Sequence, residues 1–85
     1  MKQIEIYTKD YCAYCWRAKE LLNIKGISFV EHDVTRDNTL ENQMRQRAGR
    51  HTVPQVFIDD RHIGGCDDLF ALDEKGGLDP LLQQR

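Results

Sequence analysis

Tyr11-Cys12-Ala13-Tyr14-Cys15-Trp16-Arg17 is the stretch whose reading decides the fold. Two cysteines stand with two residues between them. The apolar run Ile4-Glu5-Ile6-Tyr7-Thr8 precedes them and reads as a strand. After them Cys15, Ala18, Leu21 and Leu22 recur at i, i+3, i+6 and i+7, one face of a helix. Cys12 therefore falls where strand passes into helix, and Cys15 one turn in, on the inward face. The first N–H groups of a helix have no intrahelical acceptor, and the dipole is positive there. Lys9 and Arg17 add positive charge nearby in sequence. Such surroundings are those in which cysteine pKa values fall from about 8.5 to roughly 3.5–7.5. The thiolate is the attacking species in thiol–disulfide exchange. The pattern makes Cys12 the exposed nucleophile and Cys15 the half-buried resolving thiol.

A C-x-x-C pair is also half of a zinc site. The other half would be a second C-x-x-C or an H-x(3–5)-H. Neither occurs, since Cys66, His32, His51 and His62 are scattered, and no metal is expected. The 85 residues suit one small domain, 1–85, burying about 60–65% of its unfolded surface. A formal charge of −2 argues against nucleic acid as the main partner. Arg45, Arg47 and Arg50, and the acidic residues from Asp59 to Asp79, read mostly as solvated faces. No apolar run reaches the length of a membrane span. Met1-Lys2-Gln3-Ile4-Glu5 leads straight into a strand and does not read as a signal peptide. The expected setting is a reducing cytoplasm without membrane attachment, where a C-x-x-C is more often catalytic than structural.

Outward from the cysteines, residues 13–25 read as a helix closed by Gly26. Ile27 to Val34 reads as a second strand, which makes a right-handed βαβ unit with parallel strands. Asp37 or Asn38 caps a second helix with Leu40 and Met44 on one side, ended by Gly49. Pro54 introduces the strand Gln55-Val56-Phe57-Ile58. Asp59-Asp60 turns the chain into His62-Ile63-Gly64, a hairpin. Cys66-Asp67-Asp68 opens a third helix with acidic residues where the dipole favours them, and Gly76-Gly77 ends it. A last short helix is expected to begin with Asp79 as N-cap and Pro80 at the first helical position. Helices alternating with four strands predict an α/β protein with one mixed sheet. The histidines, without an identifiable partner, read as surface or edge residues. Cys66 reads as a semi-buried small residue without chemistry.

Three segments carry a family likeness: Cys12-Ala13-Tyr14-Cys15, Thr52-Val53-Pro54 and Gly64-Gly65-Cys66-Asp67-Asp68-Leu69. In this order and spacing, over essentially the whole chain, the sequence resembles the glutaredoxins, close to the small bacterial dithiol type. The resemblance implies a thioredoxin-like fold with sheet order 2-1-3-4 and a cis peptide bond before Pro54. It implies a glutathione-dependent thiol–disulfide oxidoreductase, a monomer, with disulfide-containing or glutathionylated proteins as partners, ribonucleotide reductase among them. Catalysis would fall to Cys12 and Cys15. The Val53 backbone would pair with the glutathione cysteine, and the N–H groups of Cys66 and Asp67 would take its γ-glutamyl carboxylate, as suits an anion at a helix N-terminus. The Asp67 side chain would take the ammonium and Lys9 the glycine carboxylate, with Tyr14, Thr52 and Pro54 lining the groove.

Two positions depart from the family pattern. Ala13 stands where proline is commonest. Family members without that proline include some that bridge two subunits with a glutathione-ligated [2Fe–2S] cluster, so a cluster-binding dimer is an alternative reading. A redoxin served by thioredoxin reductase is another, though Lys9 and Asp67 suit a zwitterionic tripeptide better. Glu41 stands where many relatives carry Gln or Arg on the second helix, and it would repel the glycine carboxylate.

Overall fold

The computed structural model describes residues 3–83. Eight elements follow in order: β1 (Ile4–Thr8), α1 (Ala13–Ile24), β2 (Val30–Asp33), α2 (Asn38–Ala48), β3 (Gln55–Ile58), β4 (Arg61–Gly64), α3 (Cys66–Glu74) and α4 (Leu78–Gln83). The strands form one sheet ordered β2-β1-β3-β4. β1 runs parallel to β2 and antiparallel to β3, which pairs antiparallel with β4. This is the thioredoxin-like arrangement expected above.

The period-two alternation of strands divides the core. Ile4 and Ile6 of β1, with Val56 and Ile58 of β3, pack under Ala18, Leu21 and Leu22 of α1, Leu69 of α3, and Leu78 and Leu82 of α4. Tyr7 and Phe57 point the other way, against Val34 and Met44 of α2's layer. Each wholly buried side chain such as Ile6, Leu22 or Leu69 contributes about 1.5–3 kcal/mol. An exposed ion pair contributes about 0–1 kcal/mol, so packing rather than surface charge holds α1 to the sheet.

Several expectations need correction. The second strand starts at Val30, not Ile27. Gly26 N–H donates to Asn23 O at 2.9 Å and Ile27 N–H to Leu22 O at 3.0 Å, so the α1 terminus uses the amide that strand pairing would need. The last helix begins at Leu78, which puts Asp79 and Pro80 inside its first turn rather than at the cap. Proline is tolerated there because first-turn N–H groups lack helical acceptors. The Asp79 carboxylate is instead bound by Lys25 Nζ at 2.7 Å. Two of the three histidines do have partners: His32 Nε2 is 3.1 Å from Glu5 Oε1, and His62 Nε2 is 2.7 Å from Gln55 Oε1, while His51 is exposed. Arg47 is no solvated charge either. Its guanidinium lies 4.0 Å from the Phe57 ring centroid, holds both Glu5 oxygens at 3.1 Å, and donates to Tyr7 Oη at 2.8 Å.

Other turns agree with their residues. Asp37 is the α2 cap, its Oδ1 accepting from Leu40 N–H at 3.0 Å. Asp59 and Asp60 both take positive φ, 48° and 67°, as a two-residue hairpin turn requires.

Candidate active site

Cys12 is the residue on which strand and helix meet. It caps α1 from an extended conformation, φ −105° and ψ 105°, and its Sγ accepts the Cys15 backbone N–H at 3.1 Å. Cys15, one turn in, is 2% exposed. Its thiol is pushed up to about 12, chiefly by burial and further by the neighbouring Cys12 sulfur. Both thiols are free, Cys12 half-buried and Cys15 buried. Both are more buried than the sequence suggests, Cys12 half-buried rather than exposed and Cys15 buried rather than half-buried, and Cys12 is the more accessible of the two.

The two cations near Cys12 in sequence are engaged elsewhere. Arg17 lies over the Phe70 ring, 5.5 Å from its centroid. Lys9 Nζ sits 3.1 Å from Glu41 Oε2. Lys9 and Glu41 hold each other, and the Glu41 carboxyl is kept below its ordinary range first by that bond to Lys9.

The Val53–Pro54 bond is cis. The Val53 carbonyl lies 3.9 Å from Cys12 Sγ, so the loop between α2 and β3 faces the nucleophile directly. Beside it runs a groove of about 320 Å³ lined by Tyr14, Arg50, Thr52, Val53, Pro54, Gly65, Cys66, Asp67 and Asp68. Six of the residues expected to contact glutathione are therefore together: Tyr14, Thr52, Val53, Pro54, Cys66 and Asp67. Lys9 is not among them. It lines a second groove, of about 550 Å³, on the other side of the redox turn with Tyr11, Cys12, Cys15 and Trp16.

The α3 end of the first groove is an open helix N-terminus. Cys66 and Asp67 are its first two residues, after the cap Gly65. First-turn N–H groups of this kind suit an anion. Cys66 is buried, and burial raises its thiol. Gly64 has φ +122°, and a Cβ there would run into the Asp68 carboxylate, so only glycine fits. That carboxylate accepts Gly65 N–H at 2.9 Å and Arg50 Nη1 at 2.8 Å. Arg50 and Asp68 were missed as groove residues. Asp68 was within reach of sequence reasoning, three residues after a helix cap. Arg50 was not, because nothing linear ties it to α3. Among the described residues no group of three or more His, Cys, Asp or Glu is arranged to hold a metal. No helix among them is long and apolar enough to cross a membrane.

A family model described as glutaredoxin matches residues 4–63, taking in both cysteines and the Val53–Pro54 loop. The chain belongs to the glutaredoxin family. It is 58% identical over 83 residues to glutaredoxin 3 of Escherichia coli K12, covering 98% of this chain and 100% of that relative. Among solved structures it is similar to a buckwheat glutaredoxin–glutathione complex, with TM-score 0.90 and 31% identity over 98% of this chain and 78% of that one. A glutaredoxin from Brucella melitensis gives TM-score 0.84 and 49% identity over 95% and 88%. Glutaredoxin membership carries a thiol–disulfide oxidoreductase role.

Proposed function

We propose that this glutaredoxin uses glutathione to reduce glutathione mixed disulfides and protein disulfides, with Cys12 as nucleophile and Cys15 resolving. The observation that carries the reading is the Cys12 sulfur 3.9 Å from the carbonyl of Val53, a residue lining the groove that runs from Tyr14 to the α3 N-terminus. A similar fold solved as a glutathione complex supports it. On a mixed disulfide, the Cys12 thiolate attacks the glutathione sulfur. The protein leaves as a thiolate and takes a proton from water, and Cys12 becomes disulfide-linked to glutathione. A second glutathione thiolate attacks that bond, forming glutathione disulfide and returning Cys12 as thiolate. On a protein disulfide, Cys12 forms a mixed disulfide with the protein. Cys15 then loses its proton and attacks the Cys12 sulfur, releasing the protein dithiol. Two glutathiones reduce the resulting Cys12–Cys15 disulfide.

Within this reading the Cys66 and Asp67 N–H groups hold the γ-glutamyl carboxylate, the Asp67 side chain the ammonium, and Val53 the peptide. Residues 1–85 form one domain, working as a monomer in a reducing cytoplasm. The test is turnover coupled to glutathione, glutathione reductase and NADPH. Cys12→Ser should be inactive on both substrates. Cys15→Ser should keep deglutathionylation and lose reduction of protein disulfides. Equal loss in both variants on a glutathionylated substrate would sink the division of labour. Reduction by thioredoxin reductase but not by glutathione would overturn the choice of reductant.

A further inference from the structure

Gln55 is a polar side chain with 0% exposure, on the α2 face of the sheet, and the redox chemistry above does not use it. Its amide nitrogen lies 3.0 Å from Thr52 O and 3.3 Å from Thr52 Oγ1. Its amide oxygen lies 2.7 Å from His62 Nε2. These contacts settle the direction of every bond. A carbonyl oxygen only accepts, so the group facing Thr52 O is the NH₂ and the group facing His62 is the oxygen. The His62 Nε2 must then carry a hydrogen. Burial lowers the His62 pKa, Arg50 lowers it further, and Asp68 opposes them, so the neutral ring is favoured. Neutral and Nε2-protonated defines one tautomer, with Nδ1 bare. The ring is held in place by Phe57, whose centroid is 5.0 Å away.

At the other end of the chain of bonds, Thr52 Oγ1 receives a hydrogen from Gln55. Its own O–H hydrogen is therefore free to donate, and exposed Thr52 lines the groove beside Val53 and Pro54. We infer that Gln55, anchored by His62, is a positioning residue that closes the Thr52–Gln55 turn and presents the Thr52 hydroxyl as a donor to a carboxylate of the ligand in the groove. This rests on the glutathione reading above, since glutathione carries two carboxylates. The polarity runs one way, from the His62 ring through a buried amide to a surface hydroxyl. A leucine at 55 would fill the space and leave the loop untethered.

The inference has two independent readouts. Nitrogen NMR of the ligand-free protein should show neutral His62 protonated at Nε2; an Nδ1-protonated ring would overturn the relay without involving glutathione. Steady-state kinetics on a small glutathione mixed disulfide should then compare Gln55→Leu, Thr52→Val and the double variant. Each single change should raise apparent KM about three- to tenfold with kcat unchanged, the size of one lost hydrogen bond. The double variant should be no worse than the weaker single one, because both remove the same contact. Effects that multiply, or a Gln55→Leu KM equal to wild type, would overturn the inference. If Gln55→Leu does not fold, His62→Phe takes its place, keeping a ring against Phe57 while removing the donor, with a smaller KM rise expected in the same cycle. Absence of glutathione-coupled turnover in the wild type would instead sink the glutathione reading and leave the tautomer result standing.

Discussion

Burial separates the three thiols of this glutaredoxin. Cys15 is pushed up to about 12, and Cys66 is raised for the same first reason, desolvation. A raised thiol pKa means that the reactive anion is depleted at neutral pH. Burial thus keeps Cys15 overwhelmingly in the unreactive thiol form at pH 8. Iodoacetamide at pH 7–8 should therefore give a single adduct, at Cys12, by intact-mass and peptide analysis, and three adducts only after unfolding. Early modification of Cys66 would contradict its burial. The Lys9–Glu41 pair gives a second residue-level expectation. A ligand carboxylate reaching Lys9 must compete with Glu41, which already sits 3.1 Å from its ammonium. Glu41→Gln should free Lys9 and lower the apparent KM for glutathione by about two- to fivefold, the scale of an exposed pair. An unchanged KM in that variant would remove Lys9 from the site.

Between elements, Arg47 is a polar joint that ties α2 to β1 and β3. It holds Glu5 in a two-pronged bond, reaches Asp60 at 3.0 Å, and covers the Phe57 ring. Glu5 and Arg47 are both largely shielded, so removing one partner strands the other. Arg47→Met should cost about 1.5–3 kcal/mol in urea unfolding at pH 7, below the figure for a fully buried pair because some solvent remains. The pH sign follows from Glu5, whose carboxyl is depressed below 4.5 first by its bond to Arg47. A depressed folded pKa stabilises above the unfolded value and loses that contribution as pH falls through the folded one. The stability gap between wild type and Arg47→Met should thus be full at pH 7 and narrow below about pH 4.5. A gap independent of pH would mean that packing on Phe57, not the Glu5 pair, is what Arg47 supplies. This joint also marks what the sequence could not show. The helix-capping residues Cys12, Asp37 and Gly49 were legible because caps act within a few residues. The partner of Arg47 lies 42 positions away, and only the folded sheet brings Glu5 and Tyr7 beneath it. The same holds for His62 and the buried Gln55. The misplaced start of β2 has a local cause, since Ile27 looks like strand by residue type while its N–H belongs to the helix.

At the scale of the whole molecule, large apolar side chains left in solvent are not spread evenly. Of the five among the described residues, Tyr11, Tyr14 and Trp16 belong to the redox stretch, and Ile24 lies two turns along α1 from Trp16. Tyr11 is fully exposed on a backbone with φ 59°, and Trp16 is 62% exposed. Tyr11 and Trp16 line the 550 Å³ groove on the side of Cys12 away from Pro54, while Tyr14 lines the groove beside Val53 and Pro54. A mixed disulfide bound with its glutathione half beside Val53 would direct its protein half toward Tyr11 and Trp16. Aromatic side chains with one wet edge are suited to such transient contacts. Trp16→Ala should therefore lower kcat/KM for a glutathionylated protein by about three- to tenfold, in line with loss of one modest aromatic contact. Turnover of a small mixed disulfide between glutathione and 2-mercaptoethanol, which has no protein half, should change by less than about twofold. The two substrates, measured on the same preparation, separate docking from chemistry. Equal losses on both would mean that Trp16 acts on the Cys12 turn itself, one helical turn before it, and not on the incoming protein.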